Sequence, residues 1–234
     1  RALTLCLGPA GFYGDSPQYW AMGTQVAAGD WLLLGSDVYY RTPLYPMFLG
    51  GFRYVLREQA LAAVVVTPHM LLLAANLLVA LICWQTTRNR TATLLAYGLS
   101  VLCLTRSSFC NGIITEPLFT FLLTATVWSL SCYHRRPSTR WSAAFAILLG
   151  LTIMVRPVPK LLWLPLAAVC FLHATRWGDR RLNWQQAALH ATCITVVSFA
   201  VLASWYVRNW VRFGEPFLAK LPTVNKWQVC FQGG

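Results

Sequence analysis

The stretch Gln59–Thr87, QALAAVVVTPHMLLLAANLLVALICWQTT, carries no charged residue and decides the fold class. A bilayer core about 30 Å thick needs roughly 20 apolar residues of helix, and Val64–Trp84 supplies one such span. Pro68, near its start, is expected to kink this helix or to mark its entry from an interfacial one. Five further runs extend the pattern: Thr91–Thr105, Glu116–Tyr133, Trp141–Val155, Leu161–Thr175 and Trp184–Val207. Three of them are only about 15 residues long, which suits a span when flanking Arg and Lys snorkel or a polar cavity shortens the path.

Composition agrees with this reading. Of the 234 residues 57% are hydrophobic and 11% charged, whereas soluble domains carry roughly a quarter charged residues and disordered chains are more polar still. The net charge of +12 comes from nineteen Lys and Arg set singly or in pairs between apolar runs. That pattern fits membrane topology better than a nucleic-acid partner. No pair among the eight Cys has the two-residue spacing of a zinc site, so they read as small apolar filler. The four His are spread over separate segments and make no shared metal site by spacing. No cleavable signal peptide is visible. The residues before Asp15, interrupted at Gly8 and Pro9, read as the tail of a truncated first helix, and no closing apolar segment precedes Gly234. The expectation is a fragment of a longer protein: one transmembrane domain over 1–234, with an outer loop at 12–56, a core at 64–207 and an outer segment at 208–234.

Alternate loops set the orientation. Arg88 and Arg90, then Arg135, Arg136 and Arg140, then Arg176, Arg180 and Arg181 fall on one side, expected to be cytoplasmic, together with Asp179. Arg106, Arg156 and Lys160 fall opposite, with Asp15, Asp30, Asp37, Glu116 and Glu215. Carboxylates therefore collect on the expected exoplasmic face.

The candidate site residues lie on that face. Asp15-Ser16-Pro17 has the form of a helix N-cap with Pro in the first turn, launching a short helix over Gln18–Ala28 that Gly29 ends. Asp15 can serve as that cap or as a reactive carboxylate. Asp30 and Asp37 read as solvated loop acids. In Arg41-Thr42-Pro43-Leu44-Tyr45-Pro46 a cation joins a rigid aromatic turn at the interface. Arg41 can bind a phosphate, pair with Asp15, or snorkel to headgroups. Glu116 opens a spanning helix, where an acid is costly unless it faces water or a partner, although capping explains it too. Arg156 and Lys160 can hold a phosphate or anchor the membrane boundary, and Arg208-Asn209 repeats the cation-and-amide pattern after the last span. Neither a phosphate-binding Gly loop nor a Ser nucleophile elbow occurs.

Five motifs in order, GDSPQYWAMGTQVAAGDW, RTPLYPMFLGGF, TEPLFTFLL, LLGLTIMVRPVPKLLWLP and WYVRNWVRFGEPF, resemble the polyprenyl-phosphate-sugar-dependent glycosyltransferases of the C superfamily (GT-C). The likeness is to the bacterial branch with the aminoarabinose transferases and protein-mannosyltransferase-like enzymes, and it covers nearly the whole chain. It implies an all-α polytopic transmembrane bundle, GT-C-like, with short exoplasmic interfacial helices, placed in a bacterial inner membrane. The implied activity is transfer of a sugar from a polyprenyl-phosphate donor to a lipid, glycan or protein acceptor outside. Asp15 occupies the place of the family's catalytic carboxylate. Arg41 and Tyr45 fall in the turn that meets the donor, Glu116 matches an acid opening a later helix, and Arg156, Lys160, Arg208 and Asn209 fall at outer-boundary phosphate positions. Related transferases often carry an acid just before the basic residue of that turn. Tyr40 stands there instead, which speaks against a metal-dependent variant, so no cofactor is required and a divalent metal stays open. The implied mechanism is inverting, with Asp15 as base and the arginines against the leaving phosphate. A transporter or flippase would place paired polar groups near the bilayer midplane, and a noncatalytic scaffold would need only the apolar runs; both remain alternatives.

Overall fold

The structure, a computed structural model, describes residues 14–36, 40–103, 110, 112–158 and 182–219. Among them helices dominate and no strand is present. Helix α1 (Ser16–Ala27) and helix α2 (Leu44–Leu56) precede a 3-10 turn at Arg57–Gln59. Helices α3 (Ala60–Thr87), α4 (Arg90–Val101), α5 (Glu116–Arg135), α6 (Thr139–Val155) and α7 (Trp184–Phe213) follow. The expected run Leu161–Thr175, Lys160, Asp37, Arg106 and the cations at 176–181 lie outside the described residues.

Two helical stretches, Leu44–Thr87 and Trp184–Phe213, are long and apolar enough to cross a membrane. Of their most apolar windows only 28% and 22% is buried. Helix α6 is apolar but shorter. Helix α5 has the length, at 20 residues, but spends part of it on Thr and Ser. Three of these hydroxyls turn back onto their own helix, each donating over 2.7 Å: Thr124 to the carbonyl of Thr120, Thr126 to that of Leu122 and Ser129 to that of Thr126.

Pro68 lies inside α3, which continues through it; the break from the preceding helix falls earlier, at Arg57–Gln59, where Arg57 takes a positive φ of 48°. Helix α7 runs six residues beyond the expected end at Val207, to Phe213, and stops where Gly214 takes the left-handed conformation at φ 75°. That extension carries Arg208 and Asn209 on the helix itself rather than in a loop after it.

The long helices pack in sequence: α4 on α3, α3 on α5, α5 on α6 and α6 on α7. Tight turns at Arg88–Asn89 and Arg136–Ser138 make each joined pair antiparallel. The starts of α3 and α5 and the ends of α6 and α7 therefore share one end of the bundle, where the α1–α2 pair also sits. Helix α1 buries Tyr19, Met22 and Val26 along one face. Tyr19 joins Tyr45, Leu49, Val64, Leu118 and Val155, whereas Met22 and Val26 join Phe145, Ile153, Ile194 and Trp205. The short amphipathic helix thus bridges both apolar clusters.

Helices α1 and α2 approach almost backbone to backbone. A Cβ at Gly23 would lie 2.9 Å from the Cβ of Leu49, and one at Gly50 would fall within 3.0 Å of the Gly23 carbonyl and closer still to Val26. Gly51, next in α2, faces open space. Gly50→Ala is therefore expected to destabilise the protein by about 1–3 kcal/mol through overpacking, and Gly51→Ala to leave stability equal or slightly higher through better helix propensity. Thermal unfolding in one detergent measures both; equal midpoints would refute the close approach.

Candidate functional site

Helix starts at the two ends of the bundle are treated differently. At the end holding Arg88 and Arg136, the side chains of Asn89, Ser138 and Asn183 each accept a hydrogen bond from a first-turn N–H, and Asn183 forms a full capping box with Gln186. At the other end Asp15 and Thr115 occupy N-cap positions without side-chain capping bonds. Pro17 and Pro117 in the first turns remove one N–H donor each. The carboxylate of Asp15 is left for another partner.

That partner is Arg41, whose Nη2 forms an ion pair with Asp15 Oδ1. The same Nη2 donates to Gln18 Oε1 at 3.3 Å, and the guanidinium lies 5.1 Å from the ring centres of both Tyr19 and Tyr40. Arg41 is mostly covered, with 20% of its side chain exposed, whereas Asp15 keeps 52% open to solvent. Burial opposes the charge on Arg41, but Tyr19, Asp15 and Tyr40 outweigh it and raise its pKa above the ordinary value. Burial raises the Tyr19 phenol in turn, an effect that nearby Arg41 partly offsets. At neutral pH the pair of functional groups is a fixed cation beside a neutral hydroxyl donor.

A second acid–arginine pair stands nearby. Arg156 Nη2 donates to Glu116 Oε1 at 2.5 Å and its Nε donates to Thr115 Oγ1 at 3.0 Å, while its guanidinium lies 5.8 Å from the Phe119 ring. Both pairs line one cavity of about 400 Å³, together with Tyr19, Tyr40, Thr115 and the strip Val155–Val158. Its floor is tied to the α2 entry by Thr42, which donates to the Val155 carbonyl at 2.7 Å.

The structure thus brings Asp15, Arg41, Glu116 and Arg156 together, residues separated by up to about 140 positions in the chain. Tyr45 lies behind the wall, 2% exposed and edge-on to Tyr19 with ring centres 5.0 Å apart, so it supports the lining rather than forming it. Lys160 lies outside the described residues. Arg208 and Asn209 do not line the cavity. Arg208 is 2% exposed and its guanidinium donates to backbone carbonyls of the segment leaving α1: Leu32 at 3.2 Å, Leu33, and Ser36 at 2.8 Å. Its Nη1 also donates to Asn209 Oδ1 at 2.8 Å, and Asn209 Nδ2 donates to the Phe217 carbonyl at 2.7 Å.

Asp30, which reads in sequence as a solvated acid, holds the same segment from the other side. Its two carboxylate oxygens accept from the N–H groups of Leu34 and Gly35, both at 2.8 Å. Tyr19 and Thr115 are site residues that sequence reasoning missed. The signal available was position: Tyr19 lies one turn after Asp15, and Thr115 immediately precedes Glu116.

Among the described residues no group of three or more His, Cys, Asp or Glu side chains converges. Each cavity carboxylate faces a guanidinium through one oxygen, Asp15 through Oδ1 and Glu116 through Oε1, so the two pairs are already charge-balanced. Comparison of the chain with protein-family models, with curated proteins and with solved structures finds no match.

Removing Arg208 leaves several covered carbonyls without their donor, the most expensive way to lose a hydrogen bond. Arg208→Gln is expected to lower stability by about 2–4 kcal/mol, and Asp30→Asn by about 1 kcal/mol. Denaturant unfolding in detergent checks the order; an Arg208→Gln protein as stable as the parent would refute the anchoring role.

Proposed function

We propose that this chain is the core of a multi-pass membrane glycosyltransferase that moves a sugar from a polyprenyl-phosphate donor to an acceptor at the outer membrane face. The observation that carries the reading is one cavity holding two acid–arginine pairs, Asp15–Arg41 and Glu116–Arg156, at the end of an apolar helical bundle. Large apolar residues on the bundle's outside support the membrane part. Leu94, Leu95 and Leu99 on α4 and Phe199 and Val207 on α7 are exposed, a surface that suits lipid and not water. The resemblance of the five sequence motifs supplies the donor class, and the arginine-rich turns at the opposite end give the orientation.

The chemistry follows from the charges. An acceptor hydroxyl donates its hydrogen bond to the exposed side of the Asp15 carboxylate. Its oxygen attacks the anomeric carbon, the bond from that carbon to the phosphate oxygen breaks, and the proton passes to Asp15. The electron pair leaves with the phosphate, and Arg41 and Arg156 stabilise the charge that grows there. Tyr19, held neutral, donates a hydrogen bond to sugar or phosphate. Glu116 positions Arg156 rather than touching the reacting atoms. The leaving phosphate is weakly basic, so no dedicated acid is needed, and attack opposite the leaving group inverts the anomeric centre.

The test uses membranes containing the protein and a panel of labelled polyprenyl-phosphate sugars. Asp15→Asn is expected to lower label transfer by about 10²–10⁴-fold at equal protein level, and Arg41→Ala by a comparable factor. Glu116→Gln is expected to weaken transfer less, because Thr115 still holds Arg156. Full transfer in Asp15→Asn would remove the base assignment. Absence of transfer from every donor in the panel would remove the glycosyltransferase reading and favour a transporter or scaffold.

A further inference from the structure

The end of the bundle opposite the Asp15 cavity gathers positive charge into a shaped site. Arg88 closes α3, Arg135 and Arg136 finish α5, and Arg140 lies in the first turn of α6. Two cavities open between these helix ends. One, of about 300 Å³, is lined by Gln85, Arg88, Cys132, Arg135, Arg136 and Trp141. The other, of about 730 Å³, is lined by Arg136, Pro137, Ser138, Arg140, Trp141 and Ala144. Arg136 and Trp141 form the wall common to both.

The described acids, Asp15, Asp30, Glu58, Glu116 and Glu215, belong to the other end, as do both described ion pairs. Among the described residues the contacts at these arginines orient without neutralising: Arg135 Nη1 donates to the Gln85 carbonyl at 3.4 Å, and the Arg88 guanidinium lies 5.8 Å from the Trp84 ring. The start of α6 adds the positive end of its dipole. A topology rule asks only for cations in a loop; it does not ask that they share a cavity wall. Pro137, Trp141 and Ala144 give the larger cavity an apolar side, so the site is cationic at its rim and apolar within, the profile of an amphiphile and not of a free ion.

We propose that this is a binding site for an anionic membrane lipid, its headgroup phosphate held by Arg136 and Arg140 and the first carbons of its tails against Trp141. The inference rests on the membrane part of the reading above and is independent of sugar transfer.

The experiment reconstitutes the whole chain in vesicles of phosphatidylcholine alone and of equimolar phosphatidylcholine and phosphatidylglycerol, extracts it in mild detergent, and counts retained lipid by native mass spectrometry. Phosphatidylglycerol is expected to be retained in preference. The double variant Arg136→Gln/Arg140→Gln is expected to weaken its binding about thirtyfold, the loss of two cations facing an anionic lipid. Arg90→Gln, at the same end but outside both cavities, is expected to leave it unchanged, and circular dichroism of all variants is expected to match. An equal loss in Arg90→Gln, or no preference for phosphatidylglycerol, overturns the site. Full displacement of the lipid by inorganic phosphate would identify a free anion as ligand and overturn the lipid assignment. A chain that fails to enter vesicles would overturn the membrane reading as well, whereas a chain that enters without lipid preference overturns this inference alone.

Discussion

The contact on which the site end depends is the near-touching of two short helices. Gly23 and Gly50 remove the side chains that would hold α1 and α2 apart, and Val26 and Leu49 fill the remaining space. Arg53 over Trp20, 4.4 Å from the ring centre, fastens the same two helices a turn away. Asp15 begins one of these helices and Arg41 precedes the other, so the separation of the helices sets the reach of the ion pair. Tyr19 meets Tyr45 edge-on across the same interface. A wider spacing would leave Arg41 to solvent and open the cavity wall.

The division of labour among polar side chains is the second organising fact. An apolar bundle has few polar groups to distribute, and hydrogen bonds to helix termini compete with chemistry for them. Asn89, Ser138 and Asn183 serve their own helices at one end. Asp15 and Thr115 at the other end do not, and their first turns rely on proline to reduce the number of open N–H groups. Both are therefore available to guanidinium partners from other segments.

The helical class, the apolar runs and the identity of four cavity residues were legible in the sequence because each follows from local rules. Charge-free length marks helices, and an acid or arginine at the edge of such a run is conspicuous. Pairing was harder to read: Arg41 with Asp15 was one of three options, and the bond from Arg156 to Glu116 depends on α5 packing on α6. Arg208 shows why. In sequence it is another boundary cation like Arg156, and only the extra turns of α7 beyond Val207, together with the approach of residues 32–36, convert it from a surface charge into a buried donor. Asp30 is a loop acid, as its sequence position suggests, but its partners are backbone N–H groups four and five residues on, which no side-chain pattern announces.

Leu33 adds a temporal side to this. It is fully buried with a positive φ of 53°, a conformation that a branched side chain rarely adopts unless its surroundings impose it. Asp30 can begin that imposition within the segment, but the guanidinium that completes it arrives from 175 residues later in the chain. During synthesis all four cavity residues emerge before Arg208 does. The peptide leaving α1 can settle only once α7 is in place, so the site end is among the last regions to become rigid as the chain matures.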